Sequence, residues 1–272
     1  MLVRGRPPLQ NLPVTRTSQP PRFFLEPGSA PDAPVLLPAD AAHAITVLRL
    51  GPGDRIQGLD GRGSAWPLVI SSLGRRNLEL EILGPPTTAP APGTPGAALP
   101  ELELALSWPR PQRAEALIDR LTQLGVARIQ PLLTARSGPH GSPGQGRLER
   151  LLRVAQSACK QSGRLWLPEI APPAALADLL ATTRPSGTAP HPGAVLTPGA
   201  PRSLGDWARS LPRPPGLRIL LGPEGGLESA EEEQAAAAGL TPVALAPHVL
   251  RVEAAAESAA AVLADAFLRH SD

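Results

Sequence analysis

The chain has 272 residues, 42% hydrophobic and 18% charged, enough to bury one large core or two modest ones. A formal net charge of +2 is too mild to mark a nucleic-acid binder on its own. The single cysteine, Cys159, excludes an internal disulfide framework, and His43, His140, His191, His248 and His270 lack metal-ligand spacing, so the reading is a cytoplasmic protein without a metal.

Residues 1–21 are rich in proline and read as a disordered basic extension. Up to residue 25 the chain carries Arg4, Arg6, Arg16 and Arg22 and no acid. No apolar run there is long enough for a signal peptide or a membrane span. Residues 22–83 then read as a small, mostly β domain. Pro38 to His43 leads into a short helical pattern with Ile45, Val47 and Leu48. A strand follows over Arg55–Leu59, and the turn Asp60-Gly61-Arg62-Gly63 is a hairpin signal. Two further strands fall at 65–70 and 78–83, where Leu78, Leu80 and Ile82 alternate with Glu79 and Glu81. The Pro/Gly-rich residues 84–100 read as a linker.

From 101 to 272 the pattern becomes an alternation of strands and helices. Leu102, Leu104 and Leu106 alternate as a strand, and Ala114, Leu117, Ile118, Leu121 and Leu124 follow helical spacing up to Gly125. Another strand is expected near 127–133, a helix through Leu148, Leu151, Leu152, Ala155 and Cys159, and short strands near 194–197, 218–221 and 242–245. An Ala-rich helix over about 253–269 closes the chain. Such alternation predicts an α/β domain with a parallel sheet, which binds ligands at the carboxyl ends of its strands.

Three segments carry the chemistry. In Leu221-Gly222-Pro223-Glu224-Gly225-Gly226 a buried strand runs into a turn and then a helix. Pro223 restricts φ, while Gly225 and Gly226 permit positive φ and close approach of a ligand to the backbone. Ser229 with Glu232 reads as a capping box that starts the next helix near Ala230. The segment is neither a P-loop nor a Gly-x-Gly-x-x-Gly fingerprint. Glu224 would repel a phosphate, so a phosphate-free ligand with a cationic centre fits better, and the sulfonium S-adenosylmethionine (SAM) meets that description. The second segment, 245–256, places Arg251 and Glu253 where a helix begins, and Glu253 there suits the helix dipole. The third, Gln161-Ser162-Gly163-Arg164, ends a helix, with Gly163 as a C-cap.

At these segments the sequence resembles the bacterial 16S rRNA (uridine-N3) methyltransferases, a SPOUT family. The likeness extends to His43-Ala44-Ile45-Thr46-Val47-Leu48-Arg49-Leu50 with Gly53-Asp54, to Arg22-Phe23-Phe24, and to Val249-Leu250-Arg251 with Glu253. Ala246, His248 and Ala254 stand where the family usually has Gly, Arg and Thr, and Arg120 and Gln123 where it has Lys and Glu. The resemblance implies an N-terminal PUA-like β-barrel and a SPOUT-type α/β domain with a deep C-terminal trefoil knot. It implies a homodimer whose active site draws on both subunits, and SAM-dependent methylation of N3 of a uridine in 16S rRNA of the small ribosomal subunit. SAM is then expected at Leu196, Thr197, Leu221, Gly222, Pro223, Glu224, Gly225, Gly226, Leu245, Ala246, Val249 and Leu250. Arg251 or Arg164 would stabilise the uracil anion, and Glu224 would serve as base or simply organise its loop. Arg22, Arg49, Arg136 and Arg164 are the expected RNA contacts. Two other readings are a SPOUT enzyme acting on transfer RNA and a noncatalytic RNA-binding or assembly factor that kept the fold.

Overall fold

Two sheets, one mostly antiparallel and one parallel, organise the computed structural model, which describes residues 19–29, 33–74, 78–137, 145–181 and 191–268. Arg4, Arg6, Arg16, His140 and His270 lie outside the described residues. The first sheet contains β1 (Arg22–Phe24), β2 (Arg55–Leu59), β3 (Ser64–Leu73), β4 (Leu78–Ile82) and β5 (Thr87–Thr88), with helix α1 (Pro38–Thr46) between β1 and β2. β1 pairs with β2 in parallel, while β2, β3 and β4 form an antiparallel meander. The β2–β3 turn is tied by Asp60, whose Oδ1 accepts from the backbone N–H of Arg62 (2.7 Å) and Ser64 (2.9 Å). α1 starts on Pro38, where the missing N–H costs nothing, and buries Ala41 and Ala44 against Phe23, Ile56, Leu68 and Ile70. Val47 and Leu48 do not continue that apolar face. The helix ends at Thr46 and both side chains are exposed.

The second sheet is built from β6 (Glu101–Ser107), α2 (Pro111–Gln123), β7 (Arg128–Leu133), α3 (Gln145–Ser162), β8 (Glu169–Ile170), β9 (Ala174–Ala175) and α4 (Leu176–Ala181). It continues with β10 (Gly193–Leu196), α5 (Leu204–Arg209), β11 (Gly216–Leu221), α6 (Ser229–Ala237), β12 (Thr241–Val243) and α7 (Val252–Leu268). Every pairing is parallel, and the order is β12-β10-β11-β6-β7-β8, with β9 beside β7. The chain therefore travels outward from β6 in one direction and returns to fill the other side, which makes β6 and β11 central neighbours. Their side chains alternate. Leu102, Leu104, Leu106, Leu217, Ile219 and Leu221 meet α2, α3, α5 and α7, while Ala105 and Leu220 face the layer containing α4 and α6. The alanines of α7 (Ala256, Ala259 and Ala260 are wholly buried) let that helix lie close on the sheet, and Leu263 and Phe267 fill the remaining space.

The short elements β8, β9, α4 and α5 were not among the sequence expectations, because two to six residues are too few to show a period. The capping box lies one residue earlier than expected. Glu228 is the N-cap and its N–H donates to Glu231 Oε2 (2.9 Å), because a glutamate at N3 reaches back where Glu232, one position on, points away. The 84–100 stretch, read as a linker, is held down along its length. β5 pairs with β3, and Gly93 lies so close to the Pro215 carbonyl that a Cβ there would come within 2.0 Å of its oxygen.

The two sheets meet through the end of α3. Cys159 is buried with Phe24, Leu59 and Ala65 of the first sheet, together with Leu165 and Leu167. Around this plug Lys160 Nζ donates to Asp40 Oδ1 (2.5 Å), and Asp40 Oδ2 accepts from the Phe24 N–H (2.6 Å). Gly63, at φ +101°, admits the Trp166 ring where a Cβ would come within 2.6 Å, and Trp166 Nε1 donates to the Ala89 carbonyl (3.0 Å).

Burial pushes the Cys159 thiol from its usual 9.0 up to about 11. The folded state thus holds this proton more tightly than the unfolded chain, so the contribution is intact below pH 9.0 and is lost as pH rises towards about 11. Melting temperatures measured from pH 8 to 10.5 should fall, and Cys159→Ala should flatten that slope. A second prediction concerns Glu103, 1% exposed, which pairs with Arg218 (2.7 Å) and Arg128 (3.3 Å) on the flanking strands. Glu103→Ala removes the buried carboxylate that both share, leaving Arg128 with Glu169 and Arg218 with the Leu179 carbonyl, and should cost roughly 3 kcal/mol in urea titration. Breaking the exposed Arg150–Glu115 pair by Glu115→Ala should cost at most about 1 kcal/mol.

Candidate functional site

The site grows from three strand ends. β11 delivers Gly222 and Pro223 into a turn that is closed by Gly226 N–H donating to the Pro223 carbonyl (2.8 Å). Gly226 has φ +74°, so it is the glycine this turn requires; Gly225 does not share that conformation. The turn is clamped from outside. Arg136, on the loop after β7, donates from Nη1 to the Gly225 carbonyl (2.6 Å) and lies 3.8 Å from Glu228. Glu231 Oε1 accepts from the Ala135 N–H (2.8 Å), fastening the same two loops a second time. β10 is followed by Thr197, whose N–H donates to the Val243 carbonyl (2.9 Å). The chain after β12 is held by Leu204 N–H donating to the Ala244 carbonyl (2.8 Å), and then runs exposed through Pro247, His248 and Val249 to α7.

These ends enclose one cavity. Leu196, Thr197, Leu221, Gly222, Pro223, Glu224, Gly226, Leu245, Ala246, Val249 and Leu250 all line it; of the expected ligand-binding positions, Gly225 alone faces elsewhere. Val195, Pro198, Leu227, Glu232, His248, Val252 and Ala255 complete the wall and were not among the expected ligand-binding positions. The lining is apolar apart from the backbone, Thr197, His248 and two carboxylates, Glu224 and Glu232, and it contains no arginine or lysine.

A second, larger cleft of about 840 Å³ opens beside the first, at the ends of β6 and β11. Pro223, Glu224 and Val252 line both spaces and so form the partition between them. The cleft has the opposite character. Arg110, Arg113, Arg136 and Arg251 line it against Glu224 and Glu253. Glu253, at the first turn of α7, accepts from Arg113 Nη1 (2.6 Å), so it serves an ion pair as well as the helix dipole. The cleft was not read from the sequence, although Trp108-Pro109-Arg110-Pro111 directly after an apolar strand follows the strand-end rule.

The other expected residues lie elsewhere. Arg164 lines neither space; its Nη1 donates to the Thr122 carbonyl in the last turn of α2 (2.8 Å), and burial pulls its pKa below the ordinary guanidinium value. Arg22 similarly donates to the Lys160 carbonyl at the end of α3 (3.1 Å) and to Gln57 Oε1 (3.1 Å). Arg49 is exposed on the loop after α1, at φ +54°. Arg120 pairs with Glu257 (2.9 Å) and Gln123 with Asp119 (2.9 Å), both on the surface and outside both spaces. Among the described residues no three His, Cys, Asp or Glu side chains are grouped as metal ligands would be.

Loss of the Arg136 clamp should be visible in solution. Arg136→Ala should speed amide exchange at Gly226 by about tenfold, as expected for loss of one charged hydrogen bond at an exposed site. Exchange within β11 should stay unchanged.

Comparison with known proteins places this architecture. Residues 97–264 match the model of an RNA methyltransferase domain, and residues 38–83 match that of an RNA methyltransferase PUA domain. A ribosomal RNA small subunit methyltransferase E from Synechocystis sp. is 31% identical over 254 residues, covering 90% of this chain and 79% of that protein. The structure is similar to ribosomal RNA small subunit methyltransferase E from Neisseria gonorrhoeae bound to S-adenosyl methionine (28% identity, TM-score 0.73, covering 90% and 97% of the two chains). It is also similar to a methyltransferase from Legionella pneumophila in complex with SAM (26% identity, TM-score 0.75, covering 91% and 98%). With both domain models matched in order and a 31% identical relative aligned over 90% of this chain, the chain belongs to the ribosomal RNA small subunit methyltransferase E family.

Proposed function

We propose that the chain is a SAM-dependent methyltransferase that methylates N3 of a uridine in 16S rRNA of the small ribosomal subunit. One observation carries this reading: an acid-bearing, arginine-free cavity shares a partition with an arginine-lined cleft. The first suits a small cation and the second a polyanion, so a cationic methyl donor and an RNA acceptor have adjoining places. The donor fits the residues present. Backbone groups at 221–224, 226, 245–246 and 248–250 border an apolar cavity, and Glu224 and Glu232 supply the only formal charges in its wall. His248 and Val249 border the cavity on its exposed side.

SAM, when bound, supplies an electrophilic methyl on a sulfonium. The protein's main task is then to hold an acceptor nitrogen in line with it at about 3 Å. N3 of uracil must shed a proton. Glu224, on the partition, is the carboxylate available to accept it, and Arg251, which lines the same cleft, stabilises the uracil anion. Arg164 is engaged with the end of α2 and holds that helix end within one protomer. Phosphate contacts come from the cleft arginines, and from Arg49 on the small domain.

The same reading extends to the finer architecture. Residues 22–83 form a PUA-like barrel for RNA, 84–100 connect it, and 101–272 form a SPOUT domain with a C-terminal trefoil knot. The protein acts as a homodimer in the cytoplasm. Among the described residues no helix is long and apolar enough to cross a membrane.

Calorimetry should detect SAM binding to the purified protein, and small subunits incubated with it and labelled SAM should yield N3-methyluridine by mass spectrometry of the digested rRNA. Arg251→Ala should lower the methylation rate by about 10²-fold or more while SAM affinity changes less than about threefold. A wild-type rate in that variant overturns the role of Arg251. Label on a ribose or in transfer RNA alone overturns the acceptor.

A further inference from the structure

The turn that leaves β11 has a different neighbour on each side. Gly222, Pro223, Glu224 and Gly226 border the strand-end cavity, whereas Pro223, Glu224 and Gly225 border the cleft. Gly225 faces only the cleft, and its carbonyl accepts there from Arg136 Nη1 (2.6 Å). The Arg136 stem lies over the same residue, with Cδ 3.6 Å from where a Gly225 Cβ would stand. Within the turn, the Gly226 N–H closes on the Pro223 carbonyl (2.8 Å). The shape of the donor-side wall is thus held in part from the cleft side, by one side chain.

That side chain has room for a further partner. Arg136 Nη1 is on Gly225 and Nε lies 3.8 Å from Glu228, while Nη2 makes no hydrogen bond or ion pair among the described residues. The side chain is 50% exposed and lines the cleft. A planar guanidinium can serve a carbonyl with one edge and an anion with another, which an ammonium cannot do in fixed geometry. An exposed arginine also samples many rotamers, and a further partner removes that freedom. An anion on Nη2 therefore holds Arg136 on the turn and does not pull it away.

We propose that Arg136 couples the two spaces: an RNA phosphate at the cleft fixes Arg136 on Gly225, and the stiffened turn then binds the methyl donor more tightly. This rests on the methyltransferase reading above and deepens it, because donor and RNA each raise the other's affinity. Arg136 is a positioning residue, acting on the donor through the backbone of the turn. The contact between Glu231 and the Ala135 N–H (2.8 Å) keeps the two loops adjacent, so the coupling needs only the guanidinium to become ordered.

The test uses the full-length protein, intact small subunits and labelled S-adenosylhomocysteine, the demethylated donor, which cannot react. Its affinity is measured by equilibrium dialysis with and without saturating subunits. The wild-type protein should bind it about fivefold more tightly when subunits are present, and subunits should bind more tightly by the same factor when it is present, as linkage requires. In Arg136→Ala both gains should disappear. Arg136→Lys keeps the charge but not the fork, so it should hold subunit affinity within about twofold of wild type and still lose the coupling. Absence of coupling in the wild type, or full coupling in either variant, overturns the proposal. Wild-type protein that binds neither S-adenosylhomocysteine nor SAM overturns the methyltransferase reading instead.

Discussion

The pairing of β6 with β11 is the constraint on which the rest depends. The two strands lie side by side in parallel register, Leu106 opposite Leu221, although more than 100 residues of chain separate them. Because they are parallel, both release their chains at the same edge of the sheet. Ser107 and Trp108 therefore emerge beside Gly222 and Pro223, and the turn leaving β11 supplies most of the partition between cavity and cleft. A one-residue slip would reverse every inward side chain of β11 and turn Leu217, Ile219 and Leu221 out of the core. The register is held by those apolar side chains on one face and, on the other, by Glu103 between Arg218 and Arg128.

Charge is sorted across that partition. The strand-end cavity holds carboxylates and no arginine, and the adjoining cleft holds four arginines. In water such proximity would blur the contrast, but the apolar walls of a cleft limit screening and preserve opposite fields over short distances. A single pocket carrying all these groups would neutralise itself internally. Two pockets sharing Pro223, Glu224 and Val252 can attract a cation and a polyanion to adjoining positions.

The small domain is fixed to this machinery by packing more than by tether. Cys159, Phe24, Leu59 and Ala65 form a shared core, and Asp40 links Lys160 to the Phe24 amide. Arg22 and Arg164 each donate to the last turn of a helix, where carbonyls lack partners and the dipole favours a cation. Their chemistry in one protomer is to stiffen helix ends, and the exposed Arg49 is left as the small domain's free cation among the three.

By itself the sequence determined what short-range physics encodes. Alternation marked β6 and β4, a short apolar run marked β11, helical spacing marked α2 and α3, alanine-rich composition marked α7, and the glycines and proline after β11 marked a ligand loop. Strand-end loops in a parallel sheet fall on one edge, and of the twelve positions that the family resemblance implied on three such loops, eleven line one cavity. What the tertiary structure alone decided was which distant groups share a space. Arg110 sits at an ordinary helix start in the sequence; it becomes a site residue only because β6 lies next to β11. Arg164 stands in an equally suggestive motif, yet it closes the end of α2. Local spacing fixes a side chain's conformation and its face, but its partners are set by sheet order and helix packing, which depend on contacts far apart along the chain.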